Sequence, residues 1–250
     1  MNTEHRPPTP LVTYTLIALC VLAFIPYVNQ MLPSPNPYAL YLPANPNFHE
    51  WQYLSSMFMH GSWMHLALNM LGLWMFGKNL EYLWGSARFL IFYLVCGIGA
   101  GYIYNEINTY QFNELANQFQ NLGLTTTDLT RIIKEGLYPA NLPGLTEKLV
   151  SDYYSFYHTP TVGASGAIYG ILAAYAFCFP NHKLVLLFIP YPIAAKYFVP
   201  ILLLIDLFSG VTGFSIFGDG IAHFAHVGGA IVGTILVLVF GRCSHRLEYD

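Results

Sequence analysis

The stretch IAHFAHVGGAIVGTILVLVF, residues 221–240, decides how the chain folds. Its 20 residues include no Asp, Glu, Lys or Arg, and a helix of about that length spans the hydrocarbon core of a bilayer. Two histidines, His223 and His226, stand at its beginning, where polar side chains are costly unless they have a function. Glycines recur along the stretch, as in helices that pack closely in membranes. It therefore predicts a membrane-spanning helix with a polar entrance.

The whole chain shares this apolar character. Its 250 residues are 55% hydrophobic and 9% charged, whereas soluble domains carry roughly 25% charged residues. The apolar residues come in long runs rather than at amphipathic periods, which is typical of a membrane protein.

The charge and the cysteine content narrow the possible functional classes of the protein further. The net charge is −3 and the Lys and Arg residues form no block, which argues against nucleic acid as a partner. The four cysteines lie singly in or beside four apolar runs, without the CxxC spacing of metal and redox motifs. We interpret them as small hydrophobic side chains in packed helices. They are Cys20, Cys96, Cys178 and Cys243.

Six apolar runs, bounded by charged or turn residues, predict six membrane spans. They lie at about residues 11–28, 63–83, 87–105, 162–179, 193–208 and 221–240. The first run is as long as a spanning helix and lacks a signal-peptide cleavage site, so we expect a retained helix. The expected fold is an all-α bundle of six transmembrane helices with a polar insert between helices 3 and 4.

The runs divide the chain into three parts. Residues 1–105 hold helices 1–3 and a long first outer loop, whose prolines between Ser34 and Gln52 exclude a regular helix. Residues 106–160 form the insert, which we place outside the membrane, and residues 161–250 hold helices 4–6 and a short cytoplasmic tail. Within the insert, the pattern from Thr126-Thr127-Asp128 to Gly136 predicts a short capped helix. We interpret the insert as a small hydrated loop domain rather than a substrate-binding module.

The distribution of Lys and Arg predicts the orientation of the spans. With the N-terminus in the cytoplasm, the short outer loops carry no basic residue, and the inner side carries most of them. The inner residues are Arg6, Lys78, Arg88, Lys183, Lys196, Arg242 and Arg246, and those in the insert are Arg131, Lys134 and Lys148. We expect a multi-pass protein with both termini in the cytoplasm, in a membrane such as the bacterial inner membrane.

Polar residues inside the predicted spans cluster at three entrances. The second span opens with HGSWMHLALN (60–69), the fourth with GASG (163–166) and the sixth with HFAHVGG (223–229). In the predicted orientation all three enter from the outer face, within one or two helical turns of it. The side chains expected at one shallow depth are His65, Asn69, Ser165 and His226.

These side chains are the groups that acyl transfer to water requires. A serine hydroxyl needs a neighbouring base, and histidine suits that task near neutral pH, so Ser165 and His226 are the candidate nucleophile and base. His65 and Asn69, spaced i and i+4 on one helical face, join the Ser165 backbone amide as candidate oxyanion donors. Tyr169, one turn deeper than Ser165, is expected to support the imidazole ring.

Each residue also has a plainer explanation. A single intramembrane serine more often bonds to its own helix, and His60 and His223 are explained as ordinary polar contacts. The coincidence of four suitable groups at one depth favours catalysis. The soluble-hydrolase motif G-x-S-x-G is not matched, because Ala167 replaces its last glycine. Close helix packing explains five glycines whatever the function: Gly163, Gly166, Gly170, Gly229 and Gly233.

Three motifs in this order resemble those of the rhomboid intramembrane proteases. The resemblance implies that His65 and Asn69 line an oxyanion site and that Ser165 is the nucleophile, with Tyr169 beneath the base. It implies that His226 is the base of a Ser–His dyad without an aspartate.

Two further sites resemble the same family. The segment Trp51-Gln52-Tyr53 resembles its first outer loop, with Gln52 where some members carry arginine. Glu81 resembles a polar residue near the inner end of the second helix. The resemblance covers about three quarters of the chain and leaves out the long insert.

The resemblance implies a serine endopeptidase that cuts in or near the transmembrane helix of membrane-protein substrates, without metal or cofactor. It also implies lateral access and movement of the fifth span as a gate, with Gly163, Gly166 and His60 in supporting roles. Two alternatives stay open. The first is a non-enzymatic adaptor or channel that binds a client helix. The second is a zinc site, disfavoured because no Asp or Glu was found near its histidines, which would be His60, His65, His223 and His226.

Overall fold

The computed structural model describes residues 9–139, 142–186, 189–214 and 221–240, together with Cys243. The predicted inner residues Arg6, Arg242 and Arg246 lie outside this part. Its α-helices are α1 (Leu11–Val28), α2 (Gln52–Ser55), α3 (Trp63–Gly72), α4 (Lys78–Trp84), α5 (Ser86–Asn121), α6 (Thr126–Glu135), α7 (Glu147–His158), α8 (Ser165–Cys178), α9 (Ala195–Thr212) and α10 (His223–Phe240). A 3-10 turn (Ser56–Phe58) follows α2, a π turn (Leu73–Gly77) joins α3 to α4, and strand β1 (Lys183–Leu186) pairs with β2 (Ile189–Ala194).

Several of these helices have the length and composition of membrane spans. Within the described residues, α1, α5 and α9 are long and apolar enough to cross a bilayer, and α8 and α10 are shorter apolar helices. The predicted second span is helical from α3 through the π turn to α4. Each predicted apolar run thus contains helix, as expected of a mainly helical membrane protein.

Glycines bring α8 and α10 into backbone contact. A methyl group at Gly229 would collide with the carbonyl of Gly166, and one at Gly233 with that of Gly170. A methyl group at Gly170 would also strike Cys96 of α5. The packing role predicted for these four glycines is confirmed, and the first turns of α8 and α10 lie side by side.

A buried carboxylate joins α1 to α4. Glu81 is 3% exposed and accepts the backbone N–H groups of Val12 and Thr13 at 2.9 and 2.8 Å. It also accepts the hydroxyls of Thr13 and Ser86 at 2.7 and 2.6 Å. The first amides of a helix have no partner within the helix, and a negative charge there is favourable. Glu81 therefore caps α1 from a neighbouring helix.

The first loop is organised by Gln52, whose side chain is fully buried. Its Oε1 accepts the N–H groups of Tyr41 and His49 at 3.3 and 3.2 Å, and its Nε2 donates to the carbonyls of Pro37 and Asn47 at 3.0 and 2.7 Å. As predicted, residues 34–51 contain no helix. A neutral amide thus supplies the loop's central bonds where the resemblance implies an arginine in some members.

The insert is continuous with the third apolar run. Helix α5 does not end near residue 105 but reaches Asn121, and it packs with α6 and α7 around a separate apolar cluster. The predicted short helix is confirmed as α6, and its N-cap is Thr125, one residue before the stretch from which it was predicted. Gly136 ends it in the left-handed conformation. The Asn45 side chain donates to the Tyr157 carbonyl at 2.6 Å and ties the insert to the first loop.

A disulfide corrects the interpretation of the cysteines. Cys178 and Cys243 are bonded to each other, whereas Cys20 and Cys96 are free and buried. The view of all four as small hydrophobic side chains is therefore wrong for the first pair. Because α8 and α10 run side by side in the same direction, their ends meet although 65 residues separate the cysteines. Spacing along the sequence does not reveal such a pair.

A pair of antiparallel strands makes the fold less purely helical than predicted. Strands β1 and β2 are antiparallel, with Lys183 opposite Ala194, and they precede α9. Two prolines, Pro190 and Pro192, lie in β2. Proline has no backbone N–H group to donate. It is tolerated here because each strand of a two-stranded sheet is an edge strand, in which some positions need no N–H bond to a neighbouring strand.

Candidate active site

The beginning of α8 presents Ser165 to the beginning of α10. Gly163 has φ +130°, a value that favours glycine, and leads the chain into α8, of which Ser165 is the first residue. His226 lies in the first turn of α10. Its Nε2 is 2.9 Å from Ser165 Oγ. The predicted nucleophile and the predicted base are thus within hydrogen-bond distance, on two helices that glycines hold in contact.

Tyr169 lies against the imidazole ring of His226. The two ring centroids are 4.1 Å apart and the planes are inclined by 10°, so the rings stack. The Tyr169 hydroxyl donates to Asp206 Oδ2 at 2.5 Å. Tyr169 lies one turn along α8 from Ser165, as the sequence indicated. Its ring restricts the tilt of the imidazole.

His65 and Asn69 converge on Gly163, two residues before Ser165. A methyl group at Gly163 would lie 2.7 Å from His65 Nε2 and 3.5 Å from Asn69 Nδ2. His65 Nδ1 accepts the Gly61 N–H in a long contact of 3.5 Å, an arrangement that favours the tautomer with its proton on Nε2. Asn69 Nδ2 is buried and has no hydrogen-bond partner among the described residues. Two side-chain N–H donors therefore face the backbone just ahead of Ser165.

His60 lies behind His65 at the entrance to α3. It is 1% exposed, and its ring packs edge-on against that of His65 with the centroids 5.1 Å apart. Its Nδ1 is 3.3 Å from the Phe58 carbonyl oxygen. The contacts of His60 suit a residue that holds His65 in place.

Asp206 of α9 contacts the base from the side opposite Ser165. Its side chain is 2% exposed, and its Oδ1 lies 3.0 Å from His226 Nδ1 and 2.7 Å from His223 Nδ1. An acidic side chain therefore lies beside the α10 histidines, where none was expected from the sequence. The sequence carried a signal for it, because Asp206 interrupts an apolar run and an ionisable residue within a span is a functional candidate by default.

The structure also bears on which residues are arranged to hold a metal. Among the described residues, the close group of potential ligands is Asp206, His223 and His226, whose ligand atoms lie within 4.8 Å of one another. His60 and His65 are not part of it, so the four-histidine arrangement considered for zinc is not the one that the fold assembles. The two imidazole nitrogens of the group are hydrogen-bonded to Asp206.

Together these contacts define the chemistry that the site can perform. A serine hydroxyl faces an imidazole nitrogen, the other nitrogen of that ring faces a carboxylate, and two further N–H donors lie near the serine backbone. A hydroxyl with an adjacent base is the arrangement for nucleophilic attack on a carbonyl group, and N–H donors beside it stabilise the resulting oxyanion.

Comparison with known proteins finds similarity over most of the length of the chain. The family model described as Rhomboid domain matches residues 47–116 and 137–243, more than half of the chain. The unmatched gap contains α6. Rhomboid protease AarA of Providencia stuartii is 28% identical over 233 residues, which are 88% of this chain and 65% of the relative.

Two further relatives are similar over shorter regions. Rhomboid protein 1, mitochondrial, of Saccharomyces cerevisiae is 25% identical over 182 residues, 73% of this chain and 39% of the relative. Rhomboid protease GlpG of Haemophilus influenzae is 31% identical over 102 residues, 39% of this chain and 51% of the relative. The chain thus spans between 39% and 65% of the length of these three relatives. The match of the family model over most of the fold shows that this chain belongs to the rhomboid family.

Proposed function

We propose that this protein is an intramembrane serine endopeptidase, which hydrolyses a peptide bond in or near the transmembrane helix of a membrane-protein substrate. The observation that carries the proposal is the 2.9 Å contact between Ser165 Oγ and His226 Nε2 at the entrances of α8 and α10. The relatives named rhomboid protease support the same reaction class.

The proposed reaction begins with attack of Ser165 Oγ on the carbonyl carbon of the scissile bond. As the new C–O bond forms, the hydroxyl proton passes to His226 Nε2 and the carbonyl electron pair moves onto oxygen. Collapse of the tetrahedral species breaks the C–N bond, and His226 gives its proton to the departing nitrogen. A water molecule then hydrolyses the acyl-enzyme by the same steps, with His226 again acting as the base.

Three N–H groups are proposed to stabilise the oxyanion: the His65 ring, the Asn69 amide and the Ser165 backbone amide. Support comes from the approach of the His65 and Asn69 nitrogens to Gly163 and from the buried, unpartnered amide of Asn69 within the described residues. In a site with little water, each such donor contributes more than it would in bulk solvent.

The proposed setting is a multi-pass protein with six spans, both termini in the cytoplasm and the site near the outer face. The apolar helices support membrane residence, and the asymmetry of Lys and Arg supports the orientation. In this arrangement residues 106–160 lie outside the membrane, and substrate helices approach laterally through the lipid. A bacterial inner membrane fits this topology.

The test is cleavage of a model transmembrane substrate by purified full-length protein in liposomes. We expect Ser165→Ala and His226→Ala each to lower kcat by about a thousandfold or more, because nucleophile and base act as a unit. Matched controls are Ser155→Ala and His158→Ala in α7, which change the same residue types on a helix that carries none of the proposed site residues and should cut at the wild-type rate.

Three outcomes of this test lead to different conclusions. Loss of cleavage in both site variants, with the controls active, supports the serine mechanism. Cleavage by Ser165→Ala at the wild-type rate would overturn it. Substrate binding that survives in Ser165→Ala, without cleavage by any form of the protein, would favour an adaptor that holds a client helix.

A further inference from the structure

All hydrogen bonds described for Asp206 lead to the groups around the base. Oδ1 is shared by His226 Nδ1 and His223 Nδ1, at 3.0 and 2.7 Å, and Oδ2 accepts the Tyr169 hydroxyl at 2.5 Å. A carboxylate buried in a membrane helix is costly and persists where its partners satisfy it. The three partners come from α8 and α10, the helices that carry Ser165 and His226.

We propose that Asp206 is the positioning residue of His226, so that the site is a Ser165–His226–Asp206 triad rather than a dyad. The inference rests on the proposed function, since it assigns a role within the same reaction. Asp206 does not touch the substrate and acts through the imidazole.

The first effect of Asp206 is on the tautomer of His226. A neutral imidazole carries one proton, and only the nitrogen without it can accept the serine proton. A carboxylate at Nδ1 holds the proton there and leaves the lone pair of Nε2 directed at Ser165 Oγ, 2.9 Å away. Without Asp206 the proton is free to occupy Nε2, and that form of the ring cannot act as the base.

The second effect is on the charge that appears during the reaction. When His226 takes the serine proton it becomes an imidazolium, and Asp206 faces it at hydrogen-bond distance in a site of 2% exposure. The opposite charge stabilises this form in surroundings that screen charge poorly. The proton stays on His226, and Asp206 remains a carboxylate throughout.

The other two partners hold the carboxylate itself. Tyr169 fixes Oδ2 from α8, and His223 shares Oδ1 from α10, three residues before His226. A carboxylate that is oriented from two helices does not rotate away from the base when the imidazole moves during proton transfer. This arrangement is analogous to the bonded carboxylates that orient histidine ligands in metal sites.

A competing explanation is that Asp206 only fastens α9 to the bundle. Much of α9 faces outward, and Leu204, Leu207 and Phe208 are 65%, 43% and 54% exposed. Its fully buried residues in the described structure are Ala195, Val199, Asp206 and Ser209. A fastening role predicts loss of stability without a specific change in the chemical step.

The experiment compares full-length wild type, Asp206→Asn and Ser209→Ala in liposomes. Asparagine keeps the size of the side chain but removes the charge. We expect Asp206→Asn to lower kcat by at least about a hundredfold, with KM within about threefold and little change in Tm, because the tautomer and the imidazolium are both affected. Ser209→Ala, one turn further along α9, is the matched control for burial and should keep the wild-type kcat.

The outcomes separate this inference from the proposed function. A wild-type kcat in Asp206→Asn with a lowered Tm overturns the triad and supports the fastening role, while Ser165→Ala in the same assay tests the serine mechanism independently. Loss of wild-type activity in the presence of a chelator would replace the triad by a metal held between Asp206, His223 and His226.

A measurement on the wild type keeps the inference testable if Asp206→Asn does not fold. In protein labelled with ¹⁵N-histidine, the signals of neutral His226 are assigned by comparison with His226→Gln. The triad predicts a proton on Nδ1 and none on Nε2. A proton on Nε2 in the neutral ring would overturn it.

Discussion

Glu81 and Asp206 are both buried carboxylates on helices of the predicted membrane spans, but their surroundings differ. Glu81 accepts two backbone N–H groups and two aliphatic hydroxyls, from the ends of α1 and α5. Asp206 accepts hydrogen bonds from the ring N–H groups of two histidines and from the hydroxyl of a tyrosine. The partners of Glu81 keep their protons during any reaction, whereas one partner of Asp206 is the ring that we propose to gain a proton and lose it again.

The difference teaches that burial of a charge in a membrane helix is not by itself a sign of catalysis. A carboxylate that satisfies the first amides of a helix stabilises the fold, as a side-chain cap does in soluble proteins. A carboxylate that faces imidazole nitrogens is placed to control where their protons reside. The type of donor, rather than the degree of burial, distinguishes the two roles.

Among the tests of this comparison, the largest loss of stability is expected for a change at Glu81. Glu81→Gln replaces one acceptor oxygen by an NH₂ group facing donors, and loss of charge-assisted bonds costs about 1.5–3 kcal/mol of the free energy of unfolding. Thermal unfolding in detergent should show a Tm lower by roughly 5–10 °C. At a temperature where the variant is folded, kcat should stay within about twofold of wild type. A fall in kcat like that expected of Asp206→Asn would remove the distinction between the two carboxylates.

A smaller effect sharpens the comparison on the Asp206 side. Tyr169→Phe keeps the ring that stacks on His226 and deletes the hydroxyl that donates to Asp206. Loss of one hydrogen bond of about 1 kcal/mol should lower kcat about fivefold, because the carboxylate is held less firmly. The measurement is kcat and KM on the model substrate, and an unchanged kcat would show that the hydroxyl does not help to position Asp206.

The matched change on the Glu81 side is Thr13→Val, which also deletes one hydroxyl that donates to a buried carboxylate. We expect a loss of about 1 kcal/mol in the free energy of unfolding and no change in kcat. Denaturation and cleavage measured on the same preparation check both parts. Tyr169→Phe is thus expected to change kcat, whereas Thr13→Val is expected to change stability alone. This contrast is the most direct test of the difference between Asp206 and Glu81.

The smallest effect is expected at a third carboxylate, Asp128, which lies at the surface of the insert. Its hydrogen bonds to the side chain and backbone of Thr125 in the capping box of α6 lower its pKa below the ordinary value of 3.8. The stabilisation is therefore complete above the ordinary pKa and is lost as the pH falls through the lowered one. The protection factors of the α6 amides, which correct hydrogen exchange for its intrinsic pH dependence, should fall over that acidic range, and Asp128→Asn should weaken this pH dependence. An unchanged profile in Asp128→Asn would contradict the capping role.

Much of the site was accessible from the sequence because polar residues at the entrances of apolar runs are conspicuous. Ser165, His226 and Tyr169 occupy fixed positions in the first turns of α8 and α10, so their order and spacing limit where they can lie. Asp206 was visible as an acidic residue in an apolar run, but its partners depend on how α9 is rotated against α8 and α10. That rotation is decided by packing between helices, which the sequence of α9 alone does not reveal.

The parts of the fold that sequence reasoning missed have a similar cause. The end of α5 was placed near residue 105 because the apolar run ends there, yet a helix continues as long as its backbone bonds and its packing allow. The Cys178–Cys243 bond joins two helix ends that are distant along the chain. The two-stranded sheet before α9 depends on pairing between strands that each resemble a short apolar run in the sequence.

Helix α5 connects the insert to the helices of the proposed site. Its 36 residues give a length of about 54 Å, whereas the hydrocarbon core of a bilayer is about 30 Å thick. Its membrane half lies against α8 where Cys96 meets Gly170, and against α10 where Ile103 meets Gly228. Residues 87–105 of the helix lie within the predicted third span, and residues 106–121 extend the same helix into the insert. A single helix therefore packs against both the insert and the helices that carry Ser165 and His226, so a tilt of α5 would change the contacts at both of its ends.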